Sequence, residues 1–305
     1  MAGFLLRRLL YAIGTLWVVA SVTFVLMRVT PGGPFDRERR LPPEVLANIA
    51  AKYHLDDPWF QQYLRYLKEI AQGDLGPSYK YLDRSVGDII LTTFPVSASL
   101  GSVALLATLV LALCAGLLAA SSRDSWIDRS CLFIATLGIA LPHFIFGAGV
   151  IWLFSLQMGL LPPAGWGSLP ALILPTLTLA AAPAAYLASL LRSTLLETLD
   201  DDFIRTARAK GLPESLVLLK HALSNSLIPT LSALGPLIAA MLTGSFVVEY
   251  IFAIPGMGRF FITAVTDRDY PVIMGVTLVY TTILVCANFV VDLLYSWVDP
   301  RVKVS

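Results

Sequence analysis

Residues 130–191 read SCLFIATLGIALPHFIFGAGVIWLFSLQMGLLPPAGWGSLPALILPTLTLAAAPAAYLASLL, without one Asp, Glu, Lys or Arg. Water-soluble domains place charged residues every few positions, so a run of this length points to lipid as its surroundings. A bilayer core about 30 Å thick is crossed by roughly 20 helical residues at about 1.5 Å each. The run is long enough for two crossings, and GLLPPAGWGSLP (159–170) supplies a turn rich in Pro and Gly between them.

Four more charge-free runs flank it: Leu9–Met27, Ile89–Ser122, Ala222–Val248 and Tyr270–Val291. The total is six expected spans, and the fold class is an all-α polytopic membrane protein. Composition agrees, with 56% hydrophobic and 14% charged residues in 305 and a mean hydropathy of +0.73. A net charge of +1 with no basic stripe gives no footprint for nucleic acid. Cys114, Cys131 and Cys286 are far apart in apolar sequence and match no metal or redox spacing.

Lys and Arg in short loops set orientation. With the N-terminus inside, the inside segments hold Arg7, Arg8, Arg123, Arg129, Arg192, Arg205, Arg208, Lys210, Lys220, Arg301 and Lys303, and the short outside loops hold only Arg259 and Arg268. Both termini are therefore expected in the cytoplasm. The first apolar run is too long for a signal-peptide core and no small-residue cleavage site closes it, so it is expected to remain as a span.

Four segments follow: a first helix over 1–28, a helical extracytoplasmic insertion over 29–95, a core over 96–295 and a tail over 296–305. In the insertion, PEVLANIAAKYH (43–54) reads as one helix. DPWFQQYLRYLKEIAQG (57–73) reads as another, with Asp57 as N-cap, Pro58 at the first helical position and Gly73 closing it. Trp59, Tyr63, Tyr66, Leu67 and Ile70 share one side, either packed on membrane or spans, or free to dock a partner. Ser85 and Asp88 form a capping-box pattern ahead of the second span.

No charged residue falls in mid-span; Glu249 and Asp292 stand at the edges. His143, in ALPHFIFG, is the one titratable His inside a span, and a neighbouring carbonyl could satisfy it. The lack of mid-depth acids and bases argues against an ion-coupled carrier. Prolines 142, 175, 183, 229 and 236 predict kinks in spans three to five. AAAPAA (180–185), with Gly101, Gly116 and Gly235, allows close helix approach. No phosphate loop, HExxH, GxSxG or dinucleotide fingerprint occurs, so the chain is not expected to be an enzyme or to hold ATP by such a loop.

One segment breaks the apolar pattern: RTARAKGLPESLVLLKHALSNSLIP (205–229). DDFIRTARAK reads as a short helix with acids at its start and bases at its end, as the helix dipole favours. Gly211-Leu212-Pro213 turns the chain. ESLVLLKHALSN is a second helix, with Leu216, Leu219 and Leu223 expected on one face. The segment (loop 200–229) is a rigid elbow joined to the fifth span, or else a solvated amphipathic loop.

The elbow resembles the EAA loop of bacterial ABC importer permeases in its dipeptide, oligopeptide and nickel group. Arg205-Thr206-Ala207, Gly211 and His221-Ala222-Leu223 carry that resemblance. It extends along the whole chain through FLLRRLL, TPGGPF (30–35), LPPEVLANIAAKYHLDDP (41–58), GDLGPSYKY (73–81), FPVSASL (94–100), EYIFAIPGMGRF (249–260), RDYP (268–271) and VDLLYSWVDPRV (291–302). The 41–81 block is most similar to the B-type subunit of oligopeptide permeases. Arg205 stands where the general pattern has Glu, and the closing Pro comes only at 229; both are usual in the peptide branch.

The resemblance implies a type I ABC importer transmembrane fold in the bacterial cytoplasmic (inner) membrane. It implies a second permease subunit, two cytoplasmic ATPase subunits that bind ATP and Mg, and a periplasmic or lipid-anchored peptide-binding protein. No cofactor or metal belongs to the chain itself. Arg205, Thr206, Ala207, Arg208, Lys210, Gly211 and Leu212 are the expected ATPase-coupling residues. Pro255, Gly256, Met257, Gly258, Arg259 and Arg268 are the candidates for the gate and the binding-protein contact. Oligopeptide is the expected cargo; dipeptide, glutathione, nickel and a peptide-like antibiotic remain open, whereas a secondary carrier is disfavoured by the absence of mid-span charge and a membrane enzyme by the absence of any site.

Overall fold

A computed structural model of the chain describes residues 2–32, 55–81, 83–242 and 245–298. The expected helix over 43–54 and residues 299–305 of the expected tail lie outside the described residues, while 296–298 belong to the last described helix. Twelve helices are described: α1 (Ala2–Val29), α2 (Trp59–Ala71), α3 (Val86–Ser121), α4 (Trp126–Ala140), α5 (His143–Val150), α6 (Leu169–Leu199), α7 (Asp202–Ala209), α8 (Glu214–Leu216), α9 (Leu223–Leu242), α10 (Phe246–Ile251), α11 (Met257–Asp267) and α12 (Tyr270–Val298). Among the described residues β pairing is confined to one isolated bridge, Pro77 with Ser85.

Among the described residues five helical segments are long and apolar enough to cross a membrane: Leu6–Val29, Val86–Ser121, Leu169–Leu199, Ala233–Ile251 and Tyr270–Val290. The expected third span differs. It is a pair of helices, Trp126–Ala140 and His143–Gln157, bent by 113° at the break. Pro142 is the cause. It disfavours helical backbone at Leu141, which is extended (ψ 123°), and it then serves as the N-cap of α5. After α5 the chain widens into a π turn over Ile151–Gln157.

The core is α3 and α6 side by side, with α4, α9 and α12 around them. Helices in lipid gain little from apolar burial, so close backbone approach and interhelical contacts hold them together. Gly101 of α3 shows this: a Cβ there would collide with the Met241 carbonyl of α9. In α6, Ala180, Ala184, Ala185 and Ala188 are buried, as the small-residue stripe predicts. His143 meets the Thr178 carbonyl of α6 through Nδ1 at 3.3 Å, so its carbonyl partner belongs to a neighbouring span.

Two boundaries shift. α3 begins at Val86 on the expected capping box, with Asp88 N–H to Ser85 Oγ at 3.0 Å and Ser85 N–H to Asp88 Oδ2 at 3.2 Å. It then runs unbroken through Pro95, so residue 95 lies inside a helix and does not end a segment. At α2 the N-cap is Pro58, not Asp57, because Pro58 keeps an extended backbone (ψ 141°) while its carbonyl accepts the first helical bonds; the Asp57 side chain instead pairs with Arg65 at 2.6 Å. Gly73, at φ +78°, follows the helix as expected. Tyr63 and Tyr66 pack on Phe24 of α1, with ring centroids 5.3 and 5.8 Å away, while Trp59 stays 57% exposed. The aromatic side is thus mainly a packing face.

Candidate functional site: the elbow and the capped turn

The elbow forms as two short helices around a glycine. α7 spans Asp202–Ala209, and Gly211 follows at φ +76°, a conformation that costs an L side chain about 1–2 kcal/mol. Arg208 reaches across the break and clasps Glu214 with both arms, Nη2 to Oε1 at 2.6 Å and Nε to Oε2 at 3.1 Å. Arg208 thereby holds the Glu214 carboxyl below its ordinary range.

Ile204 and Ala207 of α7 are buried against Ala120, Leu195, Val217 and Ala222, with Leu212 half-buried beside them. Arg205, Thr206, Arg208, Lys210 and Gly211 are exposed together on the outer side. Of the seven expected coupling residues, Ala207 is buried and Leu212 half-buried, and both pack on the elbow's own core.

The second arm departs from the expected face. Val217–Ala222 is a π turn, so Val217 and Ala222, five apart, are both buried. Leu216 and Leu219 are therefore left 38% and 54% exposed, and Leu223 alone of that trio packs inward. Past the turn, Ser226 is bonded to α6: Thr194 Oγ1 donates to the Ser226 carbonyl at 3.1 Å, and Ser226 Oγ lies 3.0 Å from Thr198 Oγ1. The elbow is thus fixed to the end of α6 and the start of α9. Arg123, after α3, adds an exposed contact to Asp200 at 3.3 Å.

The PGMG turn (255–258) is built differently from a surface loop. Gly256, Met257 and Gly258 are buried; Pro255 and Arg259 are exposed, and Arg268 is half-buried. Gly256 is the N-cap of α11, whose first N–H groups have no partner within the helix. Met257 N–H donates to Ser97 Oγ of α3 at 2.8 Å, and Gly258 and Arg259 N–H donate to Glu249 Oε2 at 2.7 and 3.3 Å. A carboxylate at a helix N-terminus is favourably placed in the dipole field. A Cβ on Gly256 would come within 2.6 Å of Ser97 Oγ and crowd Glu249 as well. The glycines make room for this cap, so Gly256, Met257 and Gly258 present no contact surface.

Glu249, expected just past the fifth span, is fully buried on α10. Asp269 is the second buried acid that charge-free runs could not reveal. It accepts from Tyr79 N–H at 3.1 Å, from Lys80 N–H at 3.4 Å and from Ser78 Oγ, pinning the loop before α3 to the α11–α12 junction. The third is Asp128, paired with Arg192. RDYP held one signal, an Asp two residues ahead of a Pro, which is an N-cap pattern. Among the described residues no group of three His, Cys, Asp or Glu could hold a metal.

Several helices able to cross a membrane and an exposed elbow tied to two of them define a polytopic membrane protein. Residues 112–304 match the family model described as the binding-protein-dependent transport system inner membrane component, and residues 1–101 match that of its N-terminal region. The chain belongs to this family of permease components. It is 45% identical over 303 residues to the dipeptide transport system permease protein DppB of Bacillus subtilis, covering 99% of this chain and 98% of that one. It is 42% identical over 305 residues to the oligopeptide transport system permease proteins OppB of Escherichia coli K12 and of Haemophilus influenzae, covering 99% of this chain and 100% of each of those. An amino acid ABC transporter crystallised with histidines shares the fold, with a TM-score of 0.54 at 18% identity over 68% of this chain and 92% of that one.

Proposed function

We propose that this chain is the transmembrane permease subunit of an ATP-driven importer that takes up oligopeptides handed over by a solute-binding protein. The observation that carries the reading is the full-length similarity to oligopeptide and dipeptide permeases. The exposed face of the elbow supports it. In this reading Arg205, Thr206, Arg208, Lys210, Gly211 and Leu212 meet an ATPase subunit in the cytoplasm, and Ala207 stiffens the elbow from within. Two such ATPases bind ATP and Mg; this chain binds neither. A second, homologous permease completes the pathway, and Pro255, Arg259 and Arg268 lie on the side that faces the binding protein. The membrane is the bacterial cytoplasmic membrane, with both termini inside.

Because the elbow is bonded to both α6 and α9, a push from an ATPase moves two spans together. Peptides differ in sequence, so a pathway of small residues and backbone groups suits them better than fixed charges. Dipeptides are the second reading, favoured by the 45% identity to a dipeptide permease.

The test is reconstitution in liposomes with the neighbouring permease, the ATPases and the binding protein. Labelled peptides of two to six residues are offered with and without ATP. Uptake requiring both ATP and the binding protein, and strongest for the longer peptides, is expected. Uptake that follows an ion gradient and ignores ATP would overturn the reading; uptake of dipeptides alone would replace its cargo.

A further inference from the structure

The inner half of α6 packs on three neighbours and leaves one side open. Gly116 of α3 lies against Ala188 and Leu191, Asp128 of α4 pairs with Arg192, and Ser226 of α9 bonds Thr194. The remaining side carries Tyr186, Ser193 and Glu197, all exposed. Helical geometry stacks these side chains along one line, because seven residues make about two turns and eleven about three.

Each member of this stripe has bonding capacity that the chain does not use. Tyr186 is 48% exposed, and its hydroxyl has no partner among the described residues. Ser193 Oγ donates to the Leu190 carbonyl at 2.9 Å, which leaves its lone pairs to accept. Glu197 forms no ion pair among the described residues. It stands near the end of α6, beside the elbow, and is the one charge on the stripe.

Lipid does not suit the stripe. Tyr186 lies about 9 Å inside Arg192, the first charged residue of α6. Side chains on a helix lean toward its N-terminus, so the hydroxyl leans deeper and away from the headgroups. At that depth α3 exposes Leu111 and Leu118, and α4 exposes Phe133 and Ile134, which acyl tails accept. A peptide fits the stripe instead. Tyr186 O–H can donate to a peptide carbonyl, Ser193 Oγ can accept a peptide N–H, and the Glu197 carboxylate can hold the terminal ammonium. Tyr186 and Ser193 are about 10 Å apart along the axis, the length of about three extended residues. Backbone groups and an amino terminus are common to peptides of any sequence. On the peptide-importer reading, we propose that Tyr186, Ser193 and Glu197 line this subunit's side of the pathway and guide an extended peptide, amino terminus first, to the cytoplasm.

The experiment uses the assembled transporter in liposomes. A labelled pentapeptide carrying a benzophenone side chain is photolysed during ATP-driven uptake, and mass spectrometry maps its adducts. Adducts on residues 182–197 of this chain are expected, and they should require both ATP and the binding protein. Tyr186→Phe should slow uptake about two- to tenfold at saturating binding protein, the worth of one neutral hydrogen bond. Glu197→Gln should slow it several-fold, and Glu197→Asp should restore most of the rate. Neither side chain has a partner within the described chain, so the Tm of each variant should match wild type, which separates a pathway role from a structural one. Adducts confined to the other permease or to lipid, with uptake intact, would overturn the inference. So would wild-type rates in both Tyr186→Phe and Glu197→Gln. Failure of the wild type to take up any peptide with ATP would instead bring down the importer reading, and the stripe's role with it.

Discussion

Arg192 of α6 grips Asp128 of α4 with two bonds, Nε to Oδ1 at 2.5 Å and Nη2 to Oδ2 at 2.6 Å. The Asp128 side chain is 2% exposed and that of Arg192 19%. Asp128 also accepts from the Asp124 N–H at 3.0 Å, so one carboxylate fixes the turn after α3 and the start of α4 onto α6.

Asp128→Asn should therefore be costly, because it leaves a largely buried guanidinium without its anion. A loss of about 3–5 kcal/mol is expected. Thermal unfolding of the purified transporter measures it. Asp128→Leu combined with Arg192→Met should recover most of that loss, since an apolar pair of similar volume leaves no charge uncompensated. Equal damage from the single and double variants would show that the pair does more than satisfy itself.

Glu249 and Gly256 should behave as one unit. Glu249→Ala strips Gly258 and Arg259 N–H of their acceptor, which costs about 1–3 kcal/mol for a buried donor. Gly256→Ala pushes a methyl into the same carboxylate. Together they should lose clearly less than the sum, because Glu249→Ala removes the carboxylate oxygen that the Gly256→Ala methyl would otherwise clash with. A double-mutant cycle on Tm gives the answer, and strict additivity would dissolve the cap as described.

At Gly211 two substitutions separate strain from contact. A Cβ there meets nothing within 4 Å, so Gly211→Ala should cost only the positive-φ strain, about 1–2 kcal/mol. The added bulk of Gly211→Trp would fall on whatever lies outside. Peptide uptake should vanish while ATP hydrolysis runs uncoupled, or assembly should fail. Normal uptake by Gly211→Trp would sink the elbow model.

The Arg208–Glu214 clasp carries a pH signature. Arg208 depresses the Glu214 pKa, so the clasp contributes fully above the ordinary glutamate value and fades as pH falls through the lowered folded value. Its side chains are 44% and 64% exposed, which limits its worth to about 0.2–1 kcal/mol, less in high salt. Amide exchange over 214–222 should be faster in Glu214→Gln than in wild type at pH 7. The difference should close in acid below the ordinary glutamate range. A gap that persisted there would assign the effect to something other than ionisation.

Charge-free runs made the spans legible, because a bilayer excludes ionised groups whatever the tertiary contacts. Gly211 and the Ser85–Asp88 box were legible because local backbone rules govern them. What escaped was non-local. The 113° break at Pro142 looked like a kink within one span, since hydropathy does not register direction. Sequence places Glu249 at the edge of a span and singles out nothing at Asp269, because their partners, Gly258 and Tyr79, come from other elements. The buried face of the second elbow helix departs from a period of 3.6 because the chain winds more widely there.

That wide winding at Val217–Ala222 leaves the chain one residue longer than a straight α-helix would need between Glu214 and Ser226. The surplus keeps both ends in phase: Ile204 and Val217 stay seated below, and Ser226 still faces Thr194 above. Deleting one residue there should tighten the coil without swinging α9 off α6. Adding a second should rotate α9 by about 100° per residue and detach it. The joint between lever and span thus tolerates an error in length in one direction only.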